Sequence, residues 1–219
     1  ILGAIEHRLG HAGLDQARLD ALPLALAQVE TLHGLTPMQA GMLFHAQYDP
    51  QGQAYVMQLR ADLGNVDGQR LRRAWEQALA CHAALRGAFV AAGEEWLQWV
   101  ARDAALPWED VDGRHVPAAG REDWIADQAR RAREAGFDLG APPLMRCALL
   151  HTAASERTLI WTCHHLVLDG WSASRLLGDV LRAYQGETLT PPAVRHDDYL
   201  AWRASRDWPA TQAYWQQAL

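Results

Sequence analysis

Apolar and polar positions along the 219-residue chain fall into short runs of two periods. From residue 35, "LTPMQ" reads as a helix start. Thr36 is placed to cap, Pro37 suits the first helical position, and Gln39 completes a capping box, with Leu43 and Phe44 continuing the helix. "AYVMQLRADL" alternates, putting Tyr55, Met57, Leu59, Ala61 and Leu63 on one face of a half-buried strand. Behind an Asp67 cap, Leu71, Trp75, Ala78, Leu79 and His82 recur at helical spacing. "LRGAFVA" and "EWLQWV" predict two strands split by a turn at Gly93.

"REDWIADQARRAREAGF" predicts a charged surface helix ended by Gly136. "LMRCALLH" and "RTLIWTC" predict a further strand pair. Trp171 to Tyr184 reads as a helix with Leu176, Leu177, Val180 and Leu181 inward, and two more helices run from about Asp197 to Leu219. The first thirty residues, rich in Ala and Leu around Pro23, read as a short helix, a turn and a connecting segment outside the core. Strands and helices mix without strict βαβ alternation, so the expected fold is an α/β sandwich with a mixed or antiparallel sheet.

Composition narrows the classes. A net charge of −6 argues against a nucleic-acid partner, which asks for a basic face. Cys81, Cys147 and Cys163 stand singly in apolar stretches, a pattern of reduced thiols rather than of a disulfide framework or a zinc cluster. No apolar run reaches membrane-spanning length, and the opening Ile1-Leu2-Gly3, with charges at Glu6 and Arg8, lacks the form of a secretion signal. A cytoplasmic location without membrane contact is the resulting expectation. Ten tryptophans could suggest a carbohydrate binder, but the spacing of Trp96, Trp99, Trp202, Trp208 and Trp215 points to packing between elements. The run "REDWIADQARRARE" reads as a solvated helix face before it reads as a docking surface.

The chemistry concentrates in "RTLIWTCHHLVLDGWSASRLL", where an apolar strand runs into His164 and His165, and Asp169 and Gly170 follow. His165 stands where a side chain can leave the core for a cleft, and imidazole can accept or steer a proton near neutral pH. Asp169 reads either as a helix cap or as a buried carboxylate paired with an arginine. Gly170 would let the backbone turn or approach a ligand. Three readings stay open on the residues alone: paired core histidines with a capping Asp, a catalytic His165, or a metal site, although His151 and His196 are the scattered further ligands available and no HExxH spacing is present.

"HHLVLDG" fits the pattern HHxxxDG, and the chain resembles the condensation domains of non-ribosomal peptide synthetases, of the chloramphenicol acetyltransferase-like superfamily. "LTPMQAGMLFHAQYDP", "CHAALRGAF", "DGWS", "FDLGAPPLMRCALL" and "HDDYLAWRASRD" carry the same resemblance in order and spacing, over residues 32–219. It implies one lobe of a two-lobed domain: residues 1–31 as an upstream linker, 32–219 as the N-terminal lobe, and the C-terminal lobe not included. It implies peptide-bond formation, in which the amine of a carrier-bound acceptor attacks a carrier-bound donor thioester. His165 would be catalytic, while His164, Asp169, Gly170 and Arg86 would shape the active site, Asp169 through a salt bridge to which Arg86 is the obvious partner. The family's usual second arginine is replaced here by Cys81. The resemblance implies no directly bound cofactor and no metal. Substrates arrive on phosphopantetheine arms, and the partners are upstream and downstream peptidyl carrier proteins and the C-terminal lobe. A stand-alone coenzyme A-dependent acyltransferase and a non-catalytic docking domain are the alternatives.

Overall fold

The computed structural model describes residues 16–48 and 53–219. Residues 1–15, where the first expected helix would begin, lie outside the described residues; the first described element is α1 (Gln16–Asp20). In chain order there follow β1 (Val29–Gly34), α2 (Pro37–Gln47), β2 (Val56–Asp62), α3 (Gly68–Cys81), β3 (Gly87–Ala92) and β4 (Glu95–Ala101). Then come β5 (Trp108–Asp112), α4 (Arg121–Glu134), β6 (Met145–Ala153), β7 (Glu156–His164), α5 (Gly170–Tyr184), α6 (His196–Ala204) and α7 (Trp208–Ala218).

The strands form two sheets. One is four-stranded, in the order β2-β7-β6-β5, antiparallel except for the parallel β5–β6 pair; the other is three-stranded and antiparallel, in the order β1-β4-β3. The fold is thus the expected α/β arrangement with mixed and antiparallel sheets flanked by helices. Period-2 patterning survives in β2, where Met57 and Leu59 pack on the main core. Period-3.6 patterning survives in α3, which buries Leu71, Ala74, Trp75, Ala78 and Leu79. Trp75 lies against Trp161 of β7, ring centroids 5.1 Å apart, and so fixes α3 across the larger sheet.

Several expectations change. β1 and β5 are not legible as strands: "VETLHG" interleaves polar residues on a strand buried nearly throughout, and the acidic "WEDVD" is a short edge strand, where charge discourages further pairing. Leu19 and Leu22, expected outside the core, are buried against the smaller sheet, and β1 begins at Val29, inside the expected linker. Leu181, expected inward, faces solvent, while Leu176 and Val180 are buried. The packing reading of the tryptophans holds for Trp99, which is buried, and for Trp96, packed on a satellite cluster; Trp202, Trp208 and Trp215, on α6 and α7, are exposed. α4 is the solvated charged helix expected, with Arg130 bridging Asp127 and Glu134 and Ile125 alone buried. Among the described residues, no helix is long and apolar enough to cross a membrane.

Candidate active site

Antiparallel pairing of β7 with β2 places Val56 opposite His164, so β7 ends at the point where β2 begins. Beyond it the backbone is taken over by a turn. The His165 N–H donates to the Tyr55 carbonyl at 2.8 Å, and the His164 N–H to the Leu144 carbonyl at 2.9 Å. Tyr55 adopts a left-handed conformation (φ 62°), which is costly for an aromatic residue and is held where its carbonyl receives His165.

The two adjacent imidazoles face opposite environments, as alternation along a strand requires. His164 is buried, accepts at Nδ1 from the Leu166 N–H (3.2 Å) and packs edge-on to Phe137. Burial lowers its pKa to about 4, the neighbouring His165 adds to the effect, and the ring's hydrogen bond to the Ala54 backbone opposes it. A ring that accepts at Nδ1 and is neutral carries its proton on Nε2. His165 is half-buried, and its Nδ1 lies 2.7 Å from the Leu168 carbonyl. A carbonyl can only accept, so Nδ1 bears a proton, and in the neutral ring the Nε2 lone pair is left for another partner.

His165 lines a cavity of about 540 Å³ between the turn, β1, β4 and the end of α3. Arg86 and Asp169 line it too; His164 lies behind it. Glu30, Gln39, Gln98 and Asp197 are among its further polar lining, with Thr31, His33, His82, Ser172, Arg195 and His196. Gln39 and Asp197 lie in the segments "LTPMQAGMLFHAQYDP" and "HDDYLAWRASRD" without standing out there as site residues, and Glu30 and Gln98 lie in none of the resembling segments.

Arg86 does not pair with Asp169, as the resemblance implied. Its guanidinium donates to Glu30 (2.6 Å), to the carbonyls of Leu79 (3.1 Å) and Ala101 (2.9 Å), and to that of Ala80, tying α3 to β1 and β4. Glu30 also accepts from Arg195 at 2.6 Å. Burial raises the Glu30 pKa, but the two guanidiniums outweigh it and hold the carboxyl below its usual value. Asp169 is exposed and caps α5, accepting the Ser172 N–H at 2.8 Å; the backbone N–H of Ser172 is the chief cause of its lowered pKa. The simpler of the two readings of this residue, a helix cap, is the one observed. Gly170 sits outside the left-handed region, and a Cβ there would meet open space, so neither a tight turn nor packing requires a glycine.

Cys81 also lines the cavity, and burial, followed by the charge of Asp179, raises its pKa. Cys163 is pushed up to about 12 by burial. Both thiols therefore stay protonated near neutral pH and are poor nucleophiles.

A family model described as "Condensation domain" matches residues 29–219. The chain belongs to the condensation-domain family. Curated relatives include a linear gramicidin synthase polypeptide of Brevibacillus parabrevis, 35% identical over 214 residues, which cover 95% of this chain and 4% of that protein. Bacitracin synthase 3 of Bacillus licheniformis is 30% identical over 219 residues, covering 96% of this chain and 3% of that protein. The chain therefore spans a small fraction of the relatives it matches. Among solved structures, the cyclization-docking bidomain of a non-ribosomal peptide synthetase from Sorangium cellulosum superposes with a TM-score of 0.76 at 20% identity, covering 92% of this chain and 41% of that one. The starter condensation domain of rhizomide synthetase gives a TM-score of 0.76 at 19% identity, covering 86% and 50%. These likenesses concern the condensation-domain fold alone.

Two outcomes follow from this geometry. A buried ion pair would make removal of Asp169 cost about 3–5 kcal/mol, whereas loss of a cap costs about 1 kcal/mol. Asp169→Ala should give the smaller change in chemical denaturation. The second concerns His164. Between about pH 6.5 and about pH 4 the unfolded chain holds a proton on this ring that the folded chain does not. Stability therefore falls as pH falls through that window, by up to about 3 kcal/mol from this ring. Urea unfolding of His164→Asn across the window should show a shallower loss with acidification than the parent.

Proposed function

We propose that the chain is the N-terminal lobe of a peptide-bond-forming condensation domain in a non-ribosomal peptide synthetase. The observation that carries the reading is His165: its Nδ1 is committed to the Leu168 carbonyl, its Nε2 makes no hydrogen bond among the described residues, and it stands at a cavity in a chain of the condensation-domain family. The synthetases named among the relatives support the reading over a stand-alone coenzyme A-dependent acyltransferase or a docking domain. The half-length cover of the rhizomide starter domain supports a second lobe supplied by further chain.

In this reading the α-amine of a carrier-bound aminoacyl thioester attacks the carbonyl carbon of a carrier-bound donor thioester. The C–N bond forms, the C–S bond breaks, and the donor carrier's thiol leaves. The proton lost by the amine is accepted or steered by His165 Nε2 and ends on the departing sulfur, so no oxidant, metal or covalent enzyme intermediate is required. His164, neutral and buried, keeps the turn in register and adds no charge beside the reacting amine. Asp169 anchors α5 at the edge of the cavity. Arg86, through Glu30, holds one wall of the cavity. Both substrates arrive on phosphopantetheine arms of upstream and downstream peptidyl carrier proteins, and the C-terminal lobe closes the site.

In the complete condensation domain, His165→Ala should leave the thermal melt near that of the parent and reduce dipeptidyl thioester formation by about 10²–10⁴. A variant that condenses at the parent rate, or one that unfolds, would remove His165 from this role. Residues 1–219 alone, given two loaded carrier proteins, should form no dipeptidyl thioester above background; product above background would show the site complete within this lobe.

A further inference from the structure

Two buried carboxamides stand one behind the other in the cavity wall, and the backbone fixes the direction of both. The Thr36 N–H donates to Gln39 Oε1 at 3.0 Å, and since a backbone N–H cannot accept, the Gln39 amide is oriented without ambiguity. Gln39 Nε2 then points inward, donating to Gln98 Oε1 at 2.9 Å and to the Leu166 carbonyl at 3.5 Å. Gln98 thereby has its oxygen committed and its Nε2 turned away from Gln39.

That nitrogen lies above Gly87. A Cβ built on Gly87 would stand 2.8 Å from Gln98 Nε2 and 3.0 Å from the Ala84 carbonyl, so β3 carries a glycine where the carboxamide needs room. Gln98 lines the same cavity as His165 and is 3% exposed as a residue, and among the described residues the one hydrogen bond of its side chain is that which its Oε1 accepts from Gln39. With its oxygen held by Gln39, the carboxamide keeps its two N–H donors for an acceptor that enters the cavity. The guanidiniums in the cavity wall are already paired, Arg86 with Glu30 and Arg195 with Glu30 and Asp197, so the site is suited to a neutral acceptor rather than to an anion.

We infer that Gln98 is a substrate-binding residue, its Nε2 donating to a carbonyl oxygen of the bound acyl thioester. The inference rests on the reading of this cavity as the condensation site. Gln39 acts behind it as a positioning residue, and its bond to the Leu166 carbonyl places the same relay one residue from His165. The acceptor is either the thioester carbonyl or an amide carbonyl of the carrier arm.

The test uses the complete condensation domain with Gln98→Glu, which keeps the acceptor for Gln39 and loses the donors. Gln98→Met, of similar length and uncharged, serves if the buried carboxylate prevents folding. On pantetheine thioesters kcat/KM should fall by about tenfold, the worth of one buried hydrogen bond, with thermal melts close to the parent. On propanethiol thioesters, which lack the arm's amides, a persisting loss assigns the contact to the thioester carbonyl, and a vanishing loss assigns it to the arm. A purely structural Gln98 would not distinguish the two thiols by KM and would not retain its melt. Folded variants with kcat/KM unchanged on pantetheine thioesters, while His165→Ala abolishes condensation, overturn this inference and leave the functional reading standing. A parent as inactive as His165→Ala overturns both.

Discussion

The hydrogen bonds that end β7 give two neighbouring, chemically identical side chains opposite tautomers. His164 accepts from the Leu166 N–H and His165 donates to the Leu168 carbonyl, so a single tight turn supplies an N–H to one ring and a carbonyl to the other. The turn itself is fastened to the start of β2 through the Tyr55 carbonyl and the β2–β7 register. A register slip of one residue would exchange the two rings, bringing the buried imidazole to the cavity and driving the other into the core. The rest of the molecule serves that register: the Trp75–Trp161 contact fixes α3 to β7, and Leu144, buried ahead of β6, receives the His164 N–H.

A second tier of contacts shapes the wall facing His165. Glu30 joins Arg86, just beyond α3, to Arg195, at the entry of α6, and the His33–Asp197 contact (3.2 Å) lies beside it. These polar ties hold the start of α6, which buries no residue of its own, against β1. The cavity is therefore bounded on one side by a packed sheet and on the other by charge pairing.

Much of this was legible in the sequence where local physics decides. The capping box at Thr36–Gln39, the amphipathic period of α3 and the alternation of β2 each reappear, and the position of His165 at a strand's end follows from the apolar run before it. Legibility failed where partners come from far along the chain. Nothing near Arg86 announces Glu30, fifty-six residues away, and nothing near Gln98 announces Gln39. β1 hid because Glu30 and His33 meet charged partners at Arg86, Arg195 and Asp197 rather than apolar packing. Asp169 shows the opposite error: a resemblance suggested a distant ion pair, while the local rule for helix starts already explained the residue.

The tautomers of the two histidines decide which nitrogen faces the cavity, and long-range ¹H–¹⁵N NMR of imidazole-labelled protein measures them directly. In its neutral form the His165 ring should show a protonated Nδ1 and a bare Nε2, and the His164 ring a bare Nδ1 and a protonated Nε2, the latter remaining neutral down to about pH 5 because its pKa lies near 4. A His165 protonated on Nε2 alone, or a His164 that becomes charged near pH 6.5, would contradict it.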